Sequence, residues 1–126
     1  MIFEIWSYNA TLPNNGGIKP RPVLIIGNDE NNGLKIVDIH YCIISASSPK
    51  GVYDIEINEE TALNLGLKKA SIIKTTKIYT GSQNLLNSKI CDLPKDIRDE
   101  FIKNYKAYQD TIMKNMSSDN TQGEPN

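Results

Sequence analysis

Arginine is scarce in this chain: only Arg21 and Arg98 stand among 14 basic residues, beside one histidine, one tryptophan and two cysteines in 126 residues. Two cysteines without an export signal exclude a disulfide-stapled secreted scaffold, so Cys42 and Cys91 are expected as reduced, packed thiols. His40, Cys42 and Cys91 do not form the paired ligand spacings of a closed zinc site, and no metal or other cofactor is expected. Long apolar runs are also missing. None approaches the roughly 20 residues that cross a bilayer, and Met1 to Trp6 has neither the basic segment nor the cleavage site of a signal peptide. A cytoplasmic domain without membrane contact is the expectation. The excess of one charge is missing too: the net charge is −1, which excludes a general nucleic-acid coat but not a local basic groove. Asp119 and Glu124 lie near the C-terminus, and without those two acids the remainder goes from −1 to +1. Lysines cluster at Lys68, Lys69, Lys74, Lys77 and Lys89, a pattern that a solvated mixed-charge surface also produces.

What is present is a core for one domain, 39% hydrophobic residues. The most informative stretch is Lys19-Pro20-Arg21-Pro22-Val23-Leu24-Ile25-Ile26-Gly27-Asn28-Asp29. Each proline fixes its own φ and pushes the preceding residue out of the helical region. Arg21 is therefore held with little backbone freedom at the entrance of a buried strand. A cation held in that way suits recognition of a phosphate or carboxylate.

Around it the pattern reads as short strands with hairpin turns. Ile2 to Tyr8 reads as a first strand, followed by a loop from Asn9 to Lys19 that carries Pro13, Asn14, Asn15, Gly16 and Gly17. Pro22 to Asn28 is the second strand and Leu34 to Ile44 the third, with Asn32-Gly33 as a hairpin signal between them. Alternation over Tyr53 to Ile57 predicts a fourth strand. Asn58 is placed to cap a short helix over Glu59 to Leu65 that Gly66 stops. Ser71 to Tyr79 and Lys89 to Cys91 complete the strands. From Pro94 a helix is expected, with Ile97, Phe101, Tyr105, Tyr108 and Ile112 on one face. Residues 1–114 then form one mainly β domain with a C-terminal helix, a strongly curved antiparallel sheet or partly open barrel. Residues 115–126 read as a disordered polar tail.

The stretch Pro20-Arg21-Pro22-Val23-Leu24-Ile25-Ile26-Gly27-Asn28-Asp29 resembles the "RPVLVIqND" segment of the MazF/PemK/Kid family of toxins from type II toxin–antitoxin systems. Gly16-Gly17, Ile44-Ser45-Ala46, Gly66-Leu67-Lys68-Lys69, Lys77-Ile78-Tyr79-Thr80 and Lys89-Ile90-Cys91-Asp92-Leu93 follow the family's order over roughly residues 2 to 112. The resemblance implies a small SH3-like, plasmid-maintenance-toxin barrel and a homodimer that pairs with a cognate antitoxin. It implies a sequence-specific, metal-independent endoribonuclease that cuts single-stranded RNA by 2′-OH transesterification. It makes Arg21 and Ser45 the catalytic pair. The loop of Asn9 to Lys19 is expected to cover the RNA groove, so Asn14, Asn15, Gly17 and Lys19 are candidate RNA contacts, with Lys74 and Lys77 as basic flanks. Departures are Asn14-Asn15 where relatives carry Glu-Gln, Tyr79 where many carry arginine, and Cys91 where they carry glycine. An alternative remains at this point: a non-catalytic barrel that binds RNA or protein, including a gyrase-poison-like module. His40 titrates in the range for proton transfer, or is a satisfied histidine on a strand.

Overall fold

The computed structural model describes residues 1–11 and 17–122. Six strands form one antiparallel sheet: β1 (Glu4–Thr11), β2 (Ile18–Asn28), β3 (Asp38–Ser45), β4 (Ile55–Ile57), β5 (Ser71–Ser82) and β6 (Leu86–Asp92). Their order across the sheet is β4-β5-β3-β2-β1-β6. Helix α1 (Glu59–Leu65) follows β4 and helix α2 (Lys95–Gln122) ends the described chain. The expected mainly β fold with a C-terminal helix is what forms.

The sheet curls because its ladders slip. Register shifts interrupt the pairing of β1 with β6, of β2 with β3 between Ile25 and Gly27, and of β3 with β5 between Cys42 and Ile44. Each such bulge bends its strand and raises the local twist. The curl brings Tyr8 of β1 onto Gly81 of β5, so close that any Cβ there would run into the Tyr8 hydroxyl; only glycine permits the approach.

Alternation along β2 feeds two cores. Leu24 joins Ile5, Cys42, Ile73 and Phe101 on the face that α1 and α2 cover. Val23 and Ile25 join Tyr8 and Ile39 inside the curl, with Trp6, Tyr41 and Leu86 packed around them. A fully buried aliphatic side chain of this kind contributes about 1.5–3 kcal/mol. On α2 the predicted face is the docked one: Phe101 is buried, and Ile97 and Tyr105 pack against the first core. Tyr108 lies on Tyr53 at 5.5 Å between ring centroids, and Asn104 donates to the Tyr53 carbonyl.

Several boundaries differ from the sequence expectation. β1 starts at Glu4 and runs to Thr11, and β2 starts at Ile18, so pairing from Ile5↔Leu24 to Thr11↔Ile18 extends the hairpin into the expected loop. Arg21 is therefore inside a strand rather than before one. The prolines fit because β2 has only β1 beside it there; its pairing with β3 begins at Val23. Leu34 to Val37 is not strand. The Asp29 carboxylate accepts from the Val37 and Asp38 N–H groups at 2.8 and 2.7 Å, and Gln83 binds the Ile36 and Val37 carbonyls. Those backbone groups are thus satisfied without a ladder, and the two N–H bonds hold the Asp29 carboxyl below its ordinary range. The α1 cap forms as expected, with the Asn58 side chain accepting from Thr61 N at 2.9 Å. Helix α2 begins at Lys95, with the Pro94 carbonyl accepting from Arg98 N–H. It continues to Gln122, so the segment expected to be disordered from residue 115 is helical that far; residues 123–126 lie outside the described residues.

Candidate functional site

Arg21 and Ser45 meet in one groove. β2 and β3 pair as Val23↔Ile43, Leu24↔Cys42 and Ile25↔Tyr41, each pair of numbers adding to the same total. Carrying that register two residues further sets Arg21 opposite Ser45, where the strands part. Between the parted ends lies a cavity of about 380 Å³ that both residues line.

The groove is cationic. Lys19, Arg21, Lys68 and Lys69 line it, and among the described residues no carboxylate does. All four are exposed. None of their side chains has a hydrogen bond or ion pair with a described residue. The α1 stop explains the placement of two of them. Gly66 adopts φ 95°, and the Gly66 and Leu67 N–H groups bond back to Leu63 and Ala62. This is a left-handed helix end that glycine adopts without strain. Leu67 is thereby buried in the core, while Lys68 and Lys69 are turned out toward Arg21. Both lysines belong to the cluster visible in the sequence; periodicity alone could not say that a helix cap aims them at Arg21.

Ser45 ends β3 and is half-buried. Its hydroxyl accepts from Ser47 N–H at 3.3 Å and Ser48 N–H at 3.1 Å, and donates to the Ser48 hydroxyl at 2.8 Å. The turn therefore fixes where the oxygen sits, with its proton directed to the Ser48 hydroxyl.

The other predicted contacts are placed as follows. Lys19 lines the groove. Gly17 has φ 71° with open space around it. Asn14 and Asn15 lie outside the described residues. Lys74 does not reach the groove. Its ammonium is bound at 2.7 Å to both the Asp54 carboxylate and the Pro49 carbonyl, with 13% of the side chain exposed. Burial would raise the Asp54 carboxyl, but hydrogen bonds from Lys74, Gly51 N–H and Thr75 N–H, with the Lys74 charge, bring it below the ordinary range. That cluster ties down the segment after Ser45. Lys77 is exposed and outside the groove. Lys89 is paired with Glu4 and Asp92. His40 lies away from the groove, with Nδ1 at 3.0 Å from the Thr80 hydroxyl. Arg98 rests over the Phe3 ring, 5.8 Å from its centroid, as part of the α2 packing. Among the described residues no three His, Cys, Asp or Glu side chains are grouped to hold a metal ion, and no helix is long and apolar enough to cross a membrane.

A curled six-stranded sheet, a C-terminal helix, and an arginine facing a serine across a basic groove define a small toxin-type barrel. The family described as PemK-like, MazF-like toxin of type II toxin-antitoxin system matches residues 3–104, and the chain belongs to that family. Among solved structures it is similar to the Mycobacterium tuberculosis toxin MazF-mt6, with a TM-score of 0.66 at 15% identity over 85% of this chain and 96% of that one. It is also similar to a structure described as an endoribonuclease in complex with its cognate antitoxin from Mycobacterial species. There the TM-score is 0.60 at 10% identity, over 85% of this chain and 91% of that one. At these identities the likeness is one of fold. No curated protein matches the chain in sequence.

Proposed function

We propose that this protein is an endoribonuclease toxin that cuts single-stranded RNA by attack of a ribose 2′-OH on the adjacent phosphorus, without a metal. The observation that carries the reading is the groove itself: among the described residues, an Arg21 without a partner and the Ser45 hydroxyl line one cavity with three lysines and no carboxylate. A polyanion is the ligand that such a lining attracts.

In the reaction the 2′-oxygen–phosphorus bond forms and the bond to the 5′ oxygen breaks. A 2′,3′-cyclic phosphate and a 5′ hydroxyl result. Negative charge grows on the non-bridging oxygens. The Arg21 guanidinium offers two parallel N–H groups to them, and the Ser45 hydroxyl turns from Ser48 to donate a further bond. Losing one such preorganised donor costs about a hundredfold or more in rate. The 2′ oxygen gives up its proton to solvent as it attacks, and the leaving 5′ oxygen takes one up as it departs. Lys19, Lys68 and Lys69 hold the flanking phosphates.

A cognate antitoxin is proposed as protein partner, on family membership and on the complex described for one neighbour. A homodimer is proposed because large apolar side chains such as Ile18 and Val37 are 69% and 61% exposed. Sedimentation at micromolar concentration checks it, and a monomer there removes it. The function is tested by incubating the purified protein with a long unstructured RNA and mapping new 5′ ends. Discrete 5′-hydroxyl ends are expected from wild type, with about a hundredfold less from Arg21→Ala. Equal growth inhibition by wild type and Arg21→Ala in a bacterium would sink the nuclease reading.

A further inference from the structure

Arg21 lines a second groove, on the side away from Lys68 and Lys69. This cavity of about 670 Å³ shares Arg21 and Pro22 with the first and is otherwise lined by Val23 of β2, by residues of β1, β3 and β5 and by Leu85. Its character is different. Among the described residues Arg21 is the one charged group lining it, and three tyrosines, Tyr8, Tyr41 and Tyr79, supply the rings. Tyr8 lies 4.7 Å from Tyr41 between centroids, and Tyr41 lies 5.9 Å from Tyr79 at an interplanar angle of 24°. Exposure rises along the row: Tyr8 is 2% exposed, Tyr41 is half-buried and Tyr79 is 45% exposed. The row therefore ends in an open ring face supported from beneath. The neighbouring polar groups are already engaged: Thr80 with His40, and the Asn9 amide reciprocally with Asn87.

We propose that this second groove is a nucleobase subsite. It takes one unstacked base of a single-stranded RNA, laid on Tyr79, from the nucleotide next to the phosphate held by Arg21. Continuity with the cationic groove argues for this occupant. A nucleotide presents an anion and a flat ring on one short linker, and here the one shared cation separates a basic surface from a tyrosine platform. Every base has a π-face, so stacking on Tyr79 fixes the strand without selecting one base, and the engaged neighbours leave few free groups for edge readout. This inference rests on the RNA-cutting reading above.

The test separates the two. The probe is a short oligouridine whose 2′ hydroxyls are replaced by fluorine, so it cannot be cleaved, together with a base-free oligomer of the same length. Tyr79→Ala should weaken oligouridine binding about tenfold, while Tyr79→Phe keeps the wild-type value because the ring face survives. On the base-free oligomer Tyr79→Ala and wild type should bind alike. Equal oligouridine affinity for wild type and Tyr79→Ala overturns the subsite, even where the long RNA is still cut. Equal weakening of both oligomers overturns it too, since no base is then being read. Loss of self-association in Tyr79→Ala, with RNA affinity unmoved, would assign the ring to a protein interface instead. Failure of the cleavage reading is seen separately, as RNA ends that do not depend on Arg21.

Discussion

Val23, Leu24 and Ile25 are neighbours of one kind on one strand, yet the two faces they enter differ in what covers them. The Leu24 face lies under α1 and α2 and is filled by Ile, Leu, Cys and Phe side chains. Among the described residues, the face of Val23 and Ile25 is covered by the curl of its own sheet, with Trp6, Leu86 and tyrosines packed there. A face closed by helices excludes water and favours apolar groups. A face closed by curling stays open at its rim, and tyrosine suits it because the ring packs while the hydroxyl reaches the edge. Burial pushes the Tyr8 and Tyr41 phenols up from their ordinary value. The covered face holds the larger apolar core, and the open one ends at Arg21.

The sharpest way to break that comparison is to truncate each face. Phe101→Ala on the covered side should cost about 3–5 kcal/mol, whereas Tyr79→Ala on the open side should stay within about 0.5 kcal/mol, both read from urea unfolding. Comparable losses would mean that the curled face carries stability too.

The next effect concerns the lysines, which look alike in sequence. Asp54→Ala strands the Lys74 ammonium, which is 13% exposed, and should destabilise the fold by about 3 kcal/mol. An unchanged unfolding midpoint would show that the pair is dispensable. Lys68→Ala should leave that midpoint alone and instead reduce the slope of log affinity for RNA against log salt by about 0.7. Lys77→Ala, outside both grooves, should change neither, and a shifted slope there would move the RNA path onto β5.

The smallest effects are in pH. The Asp54 carboxyl is depressed, so its contribution is present above the unfolded pKa of about 3.9 and is lost as pH falls through the lower folded value. Below about pH 4 wild type should lose stability more steeply than Asp54→Asn. At the other end, burial and then the nearby Asp54 charge push the Cys42 thiol from 9.0 up to about 12. The unfolded thiol ionises first, so stability falls between those values and Cys42→Ala should flatten the loss. Matching pH profiles of wild type and variants would refute both assignments. Slow labelling of Cys42 by thiol reagents at neutral pH checks the same burial independently.

Local chemistry was legible from the residues alone. The Asn58 cap, the Gly66 stop and the helical face through Phe101 all depend on side chains within a few positions of one another, and the structure has them where the pattern puts them. Strand ends were not legible. Whether Leu34 to Val37 joins a ladder depends on Asp29 and Gln83, and Gln83 is remote in sequence. That Lys74 is bound while Lys68 and Lys69 have no partner among the described residues was decided by the tertiary structure, which brings Asp54 to the first and sets the others in one groove with Arg21. The second groove was invisible for the same reason: Tyr8, Tyr41 and Tyr79 come from three strands, the β3–β5 register sets Tyr41 beside Tyr79, and the curl of the sheet brings Tyr8 onto Tyr41. A sequence determines what each residue can do with its near neighbours; which distant charge or ring it meets is set by the bend of the backbone, a sum of many small register slips.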